Sequence, residues 1–363
     1  MKEGVEQVLR KSPIDAVHTG LGAAMQDRDG WLVPGSYGDA LSEYAAVRDG
    51  GAGLVDLSSS GRFYVNGSEA VSFLNGLITN DMKTLAENQW MAAAFPNVQG
   101  RLVASVRVVR FSDGFLITTE AITHPRVLET LNRFTLAGDF HVTDLTNATA
   151  MLSLQGKETL ALGQTVFGEI VTTIGAKGAI QKDAVKIIRA SHTAEDGLDL
   201  LVDSDDAVPL WEALVGAGAR PVGHEALEVL RIEAGVPRYG VDVDETTVVP
   251  EAGLDDAISY TKGCYIGQEI VARIKYRGHV AKRLTGVVFE GRANVETGAR
   301  IRSIDDREIG RLTSVTYSPH LARTIALGYV KYDYLASGTA LKVASGEAEF
   351  RAEIHELPFV RGR

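Results

Sequence analysis

What the chain has little of narrows its function first. Its 363 residues hold one cysteine, Cys264. A single thiol cannot close an intramolecular disulfide, and it cannot supply two of the roughly four sulfur or nitrogen ligands that a structural zinc or iron–sulfur site takes. A disulfide scaffold is excluded, and a reducing compartment fits. No apolar stretch approaches the about 20 residues of a membrane span. The first twenty residues carry acidic side chains and no run of signal-peptide length, so the expected location is cytoplasmic. Basic charge is short too: 37 Lys and Arg against 47 Asp and Glu leave a net charge of −10. Phosphate affinity needs many cationic contacts, so nucleic acid is not an expected partner. His and acidic residues show no metal-ligand spacing, and no metal is expected.

What is present is polar chemistry concentrated in Lys262-Gly263-Cys264-Tyr265-Ile266-Gly267-Gln268-Glu269. Gly263 and Gly267 open backbone angles closed to other residues and admit a close-approaching ligand or chain. Lys262 and Arg273 are cations able to hold the thiol below its free pKa of about 8.5, which would make Cys264 a nucleophile or transient ligand. The alternative is a small buried apolar residue, as most free cysteines are. The charge then reverses: Arg273, Lys275, Arg277, Lys282 and Arg283 form a basic segment. It is either an anion-binding or partner-guiding surface or a solvated face.

Periodicity gives the fold class, α+β. Gly30 to Gly38 reads as an aromatic and Gly/Pro loop before a helix from about Asp39 to Arg48. Arg62 to Asn66 reads as a strand, and Ala70, Phe73, Leu74, Leu77 and Ile78 recur at helical spacing. Strands near Trp90 to Phe95 and from Leu102 follow, the latter with Leu102, Ala104, Val106 and Val108 on one face. Phe115 to Thr119 is a further strand, then a helix from Pro125 with Val127, Leu128, Leu131 and Phe134 inward, then a strand around Phe140 to Leu145. That succession is ferredoxin-like. An α/β section follows, with strands at Ala150 to Leu154, Val185 to Ala190 and Leu198 to Val202 and helices at Ala207 to Gly216 and His224 to Gly235. Beyond residue 283, short alternating strands predict a small antiparallel barrel. The expected division is 1–148, 149–283 and 284–363.

The octapeptide KGCYIGQE resembles the signature of the YgfZ family of folate-binding proteins, within the superfamily of the glycine-cleavage T-protein, a tetrahydrofolate-dependent aminomethyltransferase. GWLVPGSYG and EYAAVRDGGAGLVDLS are similar to that superfamily's opening. The resemblance implies a three-domain arrangement around a folate cavity. It also implies tetrahydrofolate as ligand and a role in assembly or repair of iron–sulfur proteins, with Cys264 as the functional thiol and iron–sulfur assembly or client proteins as partners. Within His192-Thr193-Ala194-Glu195-Asp196-Gly197, Glu195 falls where the superfamily grips the pterin, although the usual second glycine there is Ala194. Arg231, Glu233, Gly235, Tyr239 and Gly240 match R-x-E-A-G followed by Y-G, so Arg231 and Tyr239 are implied folate contacts. For Glu195 the other reading is a solvated loop acid, and for Arg231 a helix salt bridge with Glu228 or Glu225. The basic segment could hold the polyglutamate tail. The T-protein's essential aspartate, within an acidic pair, matches Ala104-Ser105, neither of which can carry the charge. That departure speaks against aminomethyl transfer, which stays as an alternative beside a thiol redox sensor.

Overall fold

Asp29 and Gly30, at φ of +55° and +80°, form the pair of left-handed angles that a two-residue hairpin needs. In this computed structural model, which describes residues 8–133 and 138–362, the turn joins strands Ala24–Arg28 and Trp31–Ser36. The stretch expected to be a loop is therefore largely strand. The Asp-Gly turn was the signal for it. Asp39 then caps helix Ala40–Arg48 by accepting from the N–H groups of Leu41 and Ser42.

The ferredoxin-like section forms as the periodicity predicts. Strands Gly61–Asn66, Gln89–Pro96, Leu102–Phe111, Gly114–Thr119 and His141–Asp144 make one five-stranded sheet. Helices Ala70–Leu77 and His124–Arg133 cover one face of it. Leu74, Val127, Leu131 and Ile117 are fully buried there, each such side chain stabilising by roughly 2 kcal/mol. Phe134, expected inward, lies outside the described residues. One expected facing fails. Ala104, Val106 and Val108 do enter this core, but Leu102 joins a cluster on the other side with Ala94 and Tyr239. The register against the neighbouring strand shifts between Phe95 and Pro96, and the extra residue turns Leu102 over.

The second sheet has six strands and crosses the expected boundary at residue 148. Its members are Ala179–Lys182, Val185–Arg189, Gly197–Asp203, Thr149–Gln155, Gly53–Asp56 and Arg220–Pro221. Gly53–Asp56 precedes the ferredoxin-like section in sequence yet pairs with Thr149–Gln155, Leu54 opposite Leu154. The ferredoxin-like section is thus inserted between two strands of this sheet. Its core is Leu54, Leu152, Leu200 and Trp211, the last from helix Ala207–Gly216.

Six antiparallel strands from Lys282–Phe289 to Ala348–His355 close a barrel, filled by Val287, Phe289, Ile301, Val330 and Ile354. Helix His224–Glu233 packs between the barrel and helix Ala40–Arg48. Among the described residues, no helix is long and apolar enough to cross a membrane.

Candidate functional site

Strand Leu102–Phe111 turns Ala104 into the ferredoxin-like core, so of the pair Ala104-Ser105 only Ser105 reaches the opposite face. Arg107 shares that face two residues on. Its Nη1 donates to Asp199 Oδ2 at 2.6 Å, and its guanidinium carbon lies 4.8 Å from the Trp90 ring centroid. Asp199, on Gly197–Asp203, also accepts from Ser153 Oγ at 2.7 Å and meets His192 Nε2 at 3.0 Å on both oxygens. Burial alone would raise the Asp199 pKa, but His192, Arg107 and Ser153 together hold it down to about 2. Ser105, Arg107 and His192 remain half-buried, so solvent reaches this part of the contact between the two sheets.

Glu120 stands on the neighbouring strand's continuation. Thr118 pairs with Arg107 and Thr119 with Val106, which sets Glu120 beside Ser105. The Glu120 carboxylate accepts the Tyr239 N–H at 3.0 and 3.1 Å. Burial pushes its pKa up to about 7 against the pull of that N–H, Arg28 and Arg238. Tyr239 is itself buried; its hydroxyl accepts from Arg126 at 3.0 Å and donates to the Leu102 carbonyl at 3.3 Å.

Glu195 sits in a loop that Ala194 enters at φ +66°. That left-handed angle is the reason the superfamily uses glycine there. Arg48 donates to Glu195 Oε1 at 2.6 Å and to Glu233 Oε2 at 2.7 Å. Glu195 Oε2 has no hydrogen-bond partner among the described residues. The C-terminal tail lies alongside, with Gly362 N–H donating to the Ala194 carbonyl at 3.0 Å.

Arg231 is placed differently from the folate contact expected of it. Its fork donates to Asp242 Oδ2 at 2.5 Å, to Glu228, to Ser314 Oγ of the barrel at 2.7 Å and to the Val236 carbonyl at 3.1 Å. The side chain is 7% exposed. Arg231 therefore fastens its helix to the barrel and to the loop ahead of Asp242. Of the two helix salt bridges considered, the one with Glu228 forms.

The thiol loop is carried by the ferredoxin-like section. Ile266 N–H donates to the Gly76 carbonyl at 3.1 Å. Gly267, at φ +76°, lies so close to the turn before Leu102 that a Cβ would stand 2.3 Å from the Asn97 carbonyl oxygen. Lys262, expected to act on the thiol, instead sends its ammonium into the end of helix Ala70–Leu77, donating to the carbonyls of Asn75, Ile78 and Asn80 at 2.7, 2.8 and 2.7 Å. Desolvation lowers its pKa to about 8. Tyr265 is buried, while Gly263 and Cys264 are exposed, so the buried-cysteine reading fails. Gln268 Nε2 reaches back to the carbonyls of Lys262 and Gly263. Gln268 and Glu269 open helix Gln268–Arg277, which displays Arg273, Lys275, Tyr276 and Arg277 to solvent. Among the described residues, Arg273 and Arg277 have no ion-pair partner.

With this geometry in hand, likeness to known proteins is informative. Residues 14–262 match the GCVT N-terminal domain, and residues 282–361 match the glycine cleavage T-protein C-terminal barrel domain. The chain belongs to the glycine cleavage T-protein family. It is 33% identical over 359 residues to an aminomethyltransferase of Rubrobacter xylanophilus, covering 97% of this chain and 95% of the relative. To that of Shouchella clausii it is 31% identical over 368 residues, covering 98% and 99%. The fold matches the crystal structure of the glycine cleavage system aminomethyltransferase T of Bartonella henselae with a TM-score of 0.91 at 24% identity, covering 98% and 99% of the two chains. These relatives are named for aminomethyl transfer rather than for the expected iron–sulfur role. Residues 263–281, with Cys264 and the basic helix, fall between the two matched ranges of the T-protein family.

Arg48, Arg107, Glu120, His192 and Asp199 were not picked out as site residues by sequence reasoning. Arg48 and His192 lie inside superfamily-like segments but were not singled out there, and Arg107, Glu120 and Asp199 lie within or beside regular elements with no local motif. Register alone brings Glu120 next to Ser105, and only the pairing of distant strands brings Arg107 to Asp199.

Proposed function

We propose that this chain is a tetrahydrofolate-binding protein whose folate site is the face carrying Ser105, Arg107 and Glu120, with Glu195 at its edge. The observation that supports it is a pair of carboxylates with acceptor capacity left for a ligand. Glu195 keeps Oε2 unpartnered among the described residues while Arg48 fixes Oε1. The Glu120 carboxylate accepts one backbone N–H, that of Tyr239, and no other donor among the described residues. Carboxylate oxygens suit the amino-pyrimidinone edge of a pterin, which presents N–H groups side by side. The residues present therefore fit the group. Tetrahydrofolate is a carrier of one-carbon units; Arg126, exposed beside Tyr239, suits the carboxylates of its tail. Folate-dependent aminomethyl transfer is the activity that the relatives' names support. Calorimetric titration with tetrahydrofolate, run beside Glu195→Ala, tests the site: saturable binding weakened in the variant is expected, and absence of binding overturns it. Methylenetetrahydrofolate formed from an aminomethyl donor tests the activity.

Two observations favour a second use of the same folate site, as an accessory in iron–sulfur cluster assembly or repair acting through Cys264. The strand position that would carry the transferase's acid is the neutral Ser105, and the thiol stands exposed in a loop rigidly seated on the adjacent turn. Cys264→Ser should fold normally and bind folate yet fail to restore iron–sulfur enzyme activities in cells deprived of the protein. Full restoration by that variant eliminates the thiol role.

A further inference from the structure

Resting on the folate reading, we propose that Glu120 is the proton-exchanging group of the cleft: the N–H groups of a bound reduced pterin donate to its carboxylate, so that binding releases a proton from Glu120. The placement supports this in three ways. First, the register that pairs Thr118 with Arg107 and Thr119 with Val106 continues to Glu120 and Ser105, and Thr119 Oγ1 donates to the Ser105 carbonyl at 3.1 Å. Cross-strand neighbours point to the same side of a sheet, so a carboxyl is supplied from one strand to a face whose own strand offers the Ser105 hydroxyl and the Arg107 guanidinium but no acid. Second, the backbone continues extended at Glu120, with φ −67° and ψ 152°, and Tyr239 holds the carboxylate toward that face. Tyr239 clusters with Ala94 and Leu102, and Ala94 is the partner of Ser105 on its other side. Third, no cation among the described residues is bonded to its carboxylate. Arg28 and Arg238 are near enough to favour the charged form, but each hydrogen-bonds Glu228 instead. Asp29 opposes them, and the Tyr239 N–H is the one hydrogen-bond donor to the Glu120 carboxylate among the described residues.

This balance leaves the carboxyl half-protonated near neutral pH, with burial the largest cause of its upward shift to about 7. Arg107, on the neighbouring strand, and Asp199 stay locked to one another and do not compete for that proton. A ligand that donates to Glu120 needs it charged. If one proton must leave, affinity rises about tenfold between pH 6 and pH 8 and levels off above.

The experiment is calorimetric titration of tetrahydrofolate into the full chain at pH 6, 7 and 8, each in two buffers of different ionisation enthalpy, with wild type, Glu120→Gln and Glu120→Asp. The ligand's own ionisations are common to all three. Wild type and Glu120→Asp should show the tenfold rise and release about half a proton at pH 7, and Glu120→Gln should show a flat profile without release. Equal pH slopes in wild type and Glu120→Gln overturn the assignment of Glu120 while leaving folate binding intact. No binding by any of the three proteins overturns the folate reading itself. In the ligand-free protein, a protonated-carboxyl infrared band lost as pH rises through about 7, and missing from Glu120→Gln, is the expected companion result; its absence from wild type also overturns the proposal.

Discussion

Arg107 reaches across the gap between two sheets to Asp199, and it does so from the same strand face that carries Ser105. A buried carboxylate that loses such a partner is left uncompensated, which costs about 3–5 kcal/mol. Because the folded pKa of Asp199 lies near 2, below its unfolded value of about 3.9, its contribution is complete above pH 4 and is lost as pH falls toward 2. Asp199→Ala should therefore unfold at lower urea concentration at pH 7, and its stability should fall less steeply than wild type between pH 4 and pH 2. Parallel slopes in that interval would contradict the linkage.

Glu120 has the opposite sign. Its folded pKa of about 7 exceeds the unfolded value of about 4.3, so the folded state gives up stability as pH rises between those values. Glu120→Gln should match wild type near pH 4 and become the more stable protein by pH 8, as read from urea midpoints.

Lys262 caps three carbonyls rather than the thiol. Lys262→Met should lower stability by about 2–3 kcal/mol, the loss expected for charge-assisted bonds to buried carbonyls. The rate at which an aromatic disulfide reagent labels Cys264 under native conditions should stay within about twofold of wild type, since the ammonium is engaged elsewhere. A tenfold slower rate would return Lys262 to the role of thiolate partner.

Gly267 leaves no room for a side chain against Asn97 and holds a left-handed angle as well. Gly267→Ala should cost about 1–3 kcal/mol and make the segment around Cys264 the first point of proteolytic cleavage. A variant as resistant as wild type would mean the loop is not anchored there.

Ala194 occupies a glycine angle. Relief of its strain by Ala194→Gly, about 1–2 kcal/mol, outweighs the added freedom of the unfolded chain, about 0.4–1 kcal/mol. A small rise in melting temperature is the expected result, and a fall would show that the methyl group contributes packing.

The fold was largely legible because each element carried its own period. The ferredoxin-like succession and the barrel both announce themselves in alternating apolar residues, and Asp39 marks its helix start. What escaped depends on chain reaching chain. Gly53–Asp56 is an unremarkable apolar run until Thr149–Gln155 arrives beside it, so a boundary drawn at 148 cut through a sheet. Leu102 faces away from Ala104 because of one bulge residue, which a count of two along the strand does not show. Glycine spacing made Cys264 and its loop readable, whereas the partner of Lys262 lies far back in the sequence. For Arg231 a motif shows residue type and not the partners its fork holds, Asp242, Glu228 and Ser314.

Glu233 accepts from Tyr44 at 2.7 Å, from Arg48 at 2.7 Å and from Ser318 of the barrel at 2.5 Å, fully buried, while its own carbonyl takes the Phe359 N–H at 2.8 Å. Swinging the barrel outward would take Ser318 from that buried carboxylate and Ser314 from Arg231, leaving both charged groups short of a partner they hold. The barrel is consequently a fixed wall and not a door. The two sheets, by contrast, meet at a point that water reaches, where the side chains of His192 and Arg107 are half-buried.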